Sequence, residues 1–209
     1  GCCGALNTHA GDLDNSRDMA RSNIDSLMTA GVEQIITSSA GCGSSMKEYA
    51  ELLKDDPEYR EKAVRFSHMT QDVTEFLVSL PFRAPTSTVN RRVTYQDPCH
   101  LAHAQRITAA PRIILNAIPG LELIEMENSA LCCGGAGIYS SIQPALSKRL
   151  LERKMDTIDA TRTQEVITAN PGCMMQIEMG LKSQKRDGLV RHVVDILDEA
   201  YALEDAKQS

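Results

Sequence analysis

Apolar residues recur at helical spacing across residues 15–30, where Met19, Ile24, Leu27 and Met28 share a face. Asn15 or Ser16 can cap this helix, and Gly31 can end it. Residues 33–37 then place Ile35 beside Ile36 in a short run that predicts a buried strand. Residues 46–53 and 70–80 predict two more helices. In the second half, 92–96, 121–126 and 164–169 predict strands. Pro111 suits the first turn of a helix running through residue 117. A long helix falls within 138–160, Pro171 opens another, and the last covers 193–202. Strands alternating with helices predict an α/β fold with a mostly parallel sheet.

The chain repeats itself. Leu131-Cys132-Cys133-Gly134 echoes Gly1-Cys2-Cys3-Gly4, and the segment ending at Cys173 echoes the segment ending at Cys42. Gly4 and Cys42 enclose 37 residues, and Gly134 and Cys173 enclose 38. Asp72–Leu77 and Asp195–Glu199 also fall at comparable places. This predicts two related lobes from a duplication, each a mostly parallel sheet flanked by helices. Pro81, Pro85, Ser87 and Thr88 mark the join, giving a first lobe over 1–84 and a second over 85–209. The second lobe alone has a segment around Cys99, which 32 residues separate from Cys132. The first lobe therefore reads as shortened at its start. With no initiator Met, the sequence reads as a fragment of a longer polypeptide.

Composition narrows the function. The net charge is −6 and no basic run stands out, which argues against a nucleic-acid partner. No apolar run approaches the roughly 20 residues that span a bilayer, and there is no signal-peptide pattern. The seven cysteines include two adjacent pairs, which suit metal ligation in a reducing cytoplasm better than a secreted disulfide framework.

In parallel sheets, sites gather past the carboxyl ends of strands. Cys42, Cys99 and Cys173 each follow a predicted strand closely, and Cys132 and Cys133 follow the one ending near Met126. Cys99, Cys132, Cys133 and Cys173 form one candidate metal site, and Cys2, Cys3 and Cys42 a second. Four thiolates suit an iron–sulfur cluster and also structural zinc. Adjacent cysteines point in different directions, which favours a cluster with several metals. A lone cysteine is more often a small buried residue than a ligand, but two matched sets weigh against that. Gly134, Gly135, Gly137 and Gly172 permit close backbone approach at these loops.

Other residues carry less. His100 and His103 flank Cys99 as ligands or hydrogen-bond donors, or as plain loop residues. His9 could replace a missing thiolate. His68 and His192 read as surface residues before helices. Met174 and Met175 read as core filler, Asp97-Pro98 as a turn, and Arg106 as solvated. No nucleophile elbow, P-loop or dinucleotide fingerprint is present, and no general base is visible.

Cysteine, Cys-Cys-Gly and cysteine in this order resemble the CCG (cysteine-rich) domain family. It includes heterodisulfide reductase B subunits, anaerobic glycerol-3-phosphate dehydrogenase C subunits, lactate-utilisation proteins and glycolate oxidase iron–sulfur subunits. The wording is most similar to the glycolate oxidase branch. It lies in Cys2-Cys3-Gly4-Ala5-Leu6 with His9, Ser39–Met46, Asp97–Gln105, Cys132-Cys133-Gly134 and Ala169–Cys173. The resemblance implies a 4Fe-4S electron-transfer subunit that accepts electrons from a flavin-containing hydroxy-acid oxidase subunit and delivers them to a quinone or another carrier. It also implies an upstream ferredoxin-like domain, absent from this sequence, and a cytoplasmic protein with peripheral contact to the inner membrane face. The family's motif ends Cys-x-x-Cys, and Ser45 and Gln176 stand at the last positions here. That counts against the five-cysteine cluster and the disulfide chemistry of heterodisulfide reductases. An ordinary cluster, zinc or a metal-free docking lobe remain open at this point.

Overall fold

The computed structural model describes residues 1–208. It opens with a short helix α1 (Ala5–His9) and a long one, α2 (Leu13–Thr29). The expected cap at Asn15 or Ser16 moves to Asp12, whose carboxylate accepts the Asn15 N–H and side-chain amide. Ser16 instead faces inward and is buried. Strand β1 (Ile35–Thr37) leads to α3 (Ala40–Lys47) and α4 (Tyr49–Leu52). The single helix expected over 46–53 is thus two, and the first begins early enough to carry Cys42 in its opening turn. Helix α5 (Arg60–Met69) follows, with His68 exposed as expected.

Residues 70–80 differ from the helix expected there. They form strand β2 (Thr70–Asp72) and then α6 (Val73–Ser79). The Asp72 carboxylate accepts both the N–H and the hydroxyl of Thr74, so the helix starts only after it. Strands β1 and β2 pair in parallel, with Thr37 opposite Asp72. Ala20, Ile24, Ile35, Tyr49, Leu53, Ala63 and Phe66 make the core of this half. Residues 80–90 carry no helix or strand.

The second half begins with β3 (Arg91–Tyr95) and a π-helical turn over His100–Ala104. Then come α7 (Ala109–Asn116), β4 (Leu121–Ile124), α8 (Tyr139–Ile142), α9 (Pro144–Ala160), β5 (Glu165–Thr168) and α10 (Pro171–Ser183). The chain ends with β6 (Leu189–His192) and α11 (Val193–Gln208). The four strands are parallel, in the order β4-β3-β5-β6. Alternate residues of β5 serve opposite faces. Ile167 joins Val93, Tyr95, Ile114, Val193 and Ile196 on one side. Val166 joins Leu151, Met155, Ile158 and Ile177 on the other. Burying each such side chain contributes about 1.5–3 kcal/mol.

Strand β6 has no strong sequence signal, since only Val190 and His192 are buried in it. His192 corrects the expectation of a surface histidine: it is 5% exposed, and its Nδ1 accepts the Val194 N–H at the start of α11. It ends β6 opposite Thr168, as Asp72 ends β2 opposite Thr37, so it is His192 and not Asp195 that matches Asp72. The first half runs helix, strand, helix, strand, helix, and the second repeats that order from α9 to α11, which is compatible with duplication.

Candidate metal centre

Apart from Cys2 and Cys3 at the chain start, each cysteine follows the carboxyl end of a strand, as parallel topology favours. Cys99 caps the π-helical turn after β3. Cys173 lies in the first turn of α10 after β5. Cys132 and Cys133 lie between β4 and α8. Their side chains meet in a chain: Cys99 with Cys132, Cys132 with Cys133, and Cys133 with Cys173. Four residues spread over the second half thus meet in successive pairs. In the first half, Cys3 and Cys42 meet in the same way, and Cys2 is exposed beside them. All seven are free thiols.

The sulfurs are not equivalent. Hydrogen bonds from Cys133 and Cys99, with the Gly134 N–H, pull the Cys132 thiol well below its ordinary value. Contact with Cys133, aided by the Asn170 amide, lowers Cys173 against its burial. Contact with Cys3, aided by Ser39, brings Cys42 down to about 6. Cys99, Cys133 and Cys3, bonded to these lowered partners and half-buried or more, are pushed up.

Two glycines set the Cys-Cys-Gly loops. Gly4 has φ +79° and Gly134 φ +88°. The Gly4 carbonyl accepts the Ser16 hydroxyl, and the Gly134 carbonyl accepts the Ser147 hydroxyl at 2.8 Å. Each serine sits on the second helix after its loop, α2 and α9, 12 and 13 residues downstream. A Cβ on Gly134 would lie 2.4 Å from the Ser147 carbonyl oxygen. Gly134→Ala is therefore expected to cost about 2–5 kcal/mol, combining left-handed strain with overpacking, as read from the urea midpoint. A loss below about 0.5 kcal/mol would contradict this account of the loop.

Several supporting residues were not visible in the sequence. Lys154 on α9 is 0% exposed. Its ammonium donates to the carbonyls of Ser129 at 2.9 Å and Asn128 at 3.3 Å, fixing the segment before Cys132. Burial lowers its pKa, while Cys133, Cys173, Asp97 and Cys132 pull the other way, so it sits near all three sulfurs. Asp97 does more than form a turn. It accepts Arg112 through both oxygens, at 2.8 and 2.9 Å, and the Ser129 hydroxyl at 2.6 Å. That ties the Cys99 loop to α7 and to the Cys132 loop. Gln176, at the position of the family's last cysteine, is buried and donates to Ser147 at 3.2 Å. It braces the glycine loop.

The histidines fall out unequally. His100 Nδ1 lies 3.6 Å from Cys99 Sγ, and burial, then His9, lowers its pKa. The His9 ring stands 5.8 Å from the His100 ring, across from the first half. His103 is exposed. Met174 packs on the second core, whereas Met175, expected to be core filler too, is 67% exposed, about a third of a turn further round α10. An open cavity of about 870 Å³ lined by Arg91, Arg162 and Arg191 lies at the amino ends of the strands, far from this chemistry.

Among the described residues, no three His, Cys, Asp or Glu side chains converge on a point as one ion would need. Sulfurs meeting in successive pairs suit a group of several irons, each taking one thiolate. The donor set is all thiol, it is served by Gly134 and Asn170 N–H donors, and it has a buried cation beside it.

A family model described as the cysteine-rich domain, CCG, matches residues 1–47 and 93–178, which hold all seven cysteines. This chain belongs to the CCG cysteine-rich domain family. Among curated CCG relatives, it is 39% identical over 203 residues to the probable glycolate oxidase iron-sulfur subunit of Bacillus subtilis, covering 95% of this chain and 46% of that protein. It is 32% identical over 203 residues to the glycolate oxidase iron-sulfur subunit of Escherichia coli, covering 96% and 48%. It is 30% identical over 198 residues to lactate utilization protein A of Shouchella clausii, covering 94% and 82%. The chain thus spans about half the length of the glycolate oxidase relatives. Among the described residues, no helix is long and apolar enough to cross a membrane.

Proposed function

We propose that this CCG chain holds a 4Fe-4S cluster on Cys99, Cys132, Cys133 and Cys173 and serves as the electron-transfer part of a hydroxy-acid oxidoreductase. Its electrons come from a flavin-containing subunit that oxidises glycolate or a related 2-hydroxy acid, and go to a quinone or another carrier. The observation that carries the reading is the meeting of these four thiols from three strand ends. An iron–sulfur cluster there would supply one-electron transfer. Gly134 and Asn170 would donate N–H groups to ligand sulfurs, and Lys154 would offset the negative charge of the thiolates. Cys2, Cys3 and Cys42 would hold a second group in the first lobe. The lobes are units 1–84 and 85–209 in this reading. We place the protein in the cytoplasm, touching the inner membrane face where a quinone is the acceptor, because quinones reside in the bilayer.

The test mixes iron-loaded protein anaerobically with flavin subunit that glycolate has reduced. Bleaching of the visible absorption, by about one electron per cluster, is expected. Absorption that dithionite bleaches but the glycolate-reduced flavoprotein does not would overturn the assignment of the donor.

A further inference from the structure

Among the described residues, Lys154 is the only lysine or arginine that is buried. Two carbonyls satisfy its hydrogen bonds, Ser129 at 2.9 Å and Asn128 at 3.3 Å, and the Met126 sulfur lies at 3.8 Å. Its charge has no such match, since no carboxylate among the described residues pairs with it. Asp97, which also bonds Ser129, is taken by Arg112 through both oxygens. Removing a cation from water is costly, and an ion of opposite sign close by offsets that cost far better than dipoles do. The helix shows where that ion belongs. Ser147 and Lys154 lie about two turns apart on one face of α9. Ser147 holds the Gly134 carbonyl just after the cysteine pair, and Lys154 holds Asn128 and Ser129 just before it. Cys132 and Cys133 therefore fall between the two contacts. Met126, which the ammonium touches, shares one buried cluster with Cys133, Cys173 and the neighbouring α9 residues Leu151 and Met155.

We propose that Lys154 is the fixed counter-ion of this site and sets the reduction potential of the group held by Cys99, Cys132, Cys133 and Cys173. This rests on the iron–sulfur reading above and goes beyond charge balance, because it ties how readily the site takes an electron to one side chain. Four thiolates leave an iron–sulfur core with net negative charge, and net charge is one of the quantities that fix its potential. The electron that arrives from the reduced flavin adds one more negative charge, and no bond forms or breaks. A cation in the same low-dielectric region attracts the reduced state more strongly than the oxidised one, so it raises the potential. Salt screens exposed charges, but Lys154 is closed off from solvent and keeps its effect.

The experiment is a spectroscopic redox titration of the iron-loaded protein, wild type against Lys154→Met, Lys154→Gln and Lys148→Gln. Methionine keeps the stem and removes the charge. Glutamine removes the charge and keeps an N–H donor for the carbonyls. Both Lys154 variants are expected to favour the oxidised state about tenfold, which for one electron is a midpoint about 59 mV more negative. The shift is expected to persist in about 1 M salt, where exposed charges are screened. Lys148 lies on the same helix with its side chain 77% exposed, and its variant is expected to keep the wild-type midpoint. Only molecules that hold the cluster give the titrated signal, so partial loading does not hide the midpoint. A wild-type midpoint in Lys154→Gln would make Lys154 a tether for the loop and overturn the proposal, with the cluster assignment left standing. Equal shifts in Lys148→Gln and the Lys154 variants would overturn it as well. Iron-free wild-type protein would overturn both the proposal and the cluster assignment.

Discussion

Replacing Cys133 with serine is expected to lower iron bound in the second half about tenfold or more, with the fold retained. Losing even an outer partner of a metal ligand costs 10–100-fold in affinity, and losing a ligand costs at least that. Cys133 is the decisive position because it is 2% exposed and its sulfur meets both Cys132 and Cys173. Serine presents a hydroxyl, a poor iron ligand, in a pocket shaped for sulfur. The fold has little reason to fail, since Gly134, Ser147 and Gln176 continue to hold the loop. Iron analysis with far-ultraviolet circular dichroism reads both quantities. Cys2→Ser, at an exposed sulfur in the first half, is expected to leave second-half iron near its wild-type level. Full iron in Cys133→Ser would remove it from the ligand set.

Asp97→Ala is expected to destabilise the protein by about 3–5 kcal/mol, the usual result of removing one member of a buried ion pair. Asp97 is 3% exposed and receives three hydrogen bonds, two of them from Arg112. That pairing holds the Arg112 guanidinium above its ordinary pKa, with Glu125 as a second acceptor. Without Asp97, half of the guanidinium fork and the Ser129 hydroxyl lose their partner beside the Cys99 and Cys132 loops. The expected fall in melting temperature is about 6–20 °C for a chain of this length. Arg92→Ala serves as the contrast. Its pair with Glu122 is exposed on both sides, so its loss is expected to stay within about 1 kcal/mol. Similar melting temperatures for the two variants would contradict the view that Asp97 anchors the site.

The chain's spacing groups Cys99, Cys132, Cys133 and Cys173 as one expected set, because parallel strands deliver their following loops to one edge. Helices α9 and α10 were legible for the same reason, with long apolar stripes and a proline at each start. Strands β2 and β6 were not, since runs of three or four residues are too short to carry a period of their own. Their identity depends on pairing with β1 and β5. His192 was misplaced because nothing local shows that α11 and β6 enclose it. Lys154 looked like one more charge on a helix, and only the carbonyls of Asn128 and Ser129 explain its burial. The serines behind the glycine loops did leave a trace. Ser16 and Ser147 stand at nearly matched distances after Gly4 and Gly134, a regularity the repeat contained. The Ser39–Asn170 contact left none, because it forms only where the two halves meet.

The central claim is that the four second-half thiols hold a four-iron cluster. The direct measurement is iron, sulfide and zinc in protein purified without oxygen, together with its visible spectrum. About four iron and four sulfide per chain, or up to twice that if the first lobe is also filled, with a broad brown absorption, is the predicted result. Zinc without iron, or protein with neither, would contradict it.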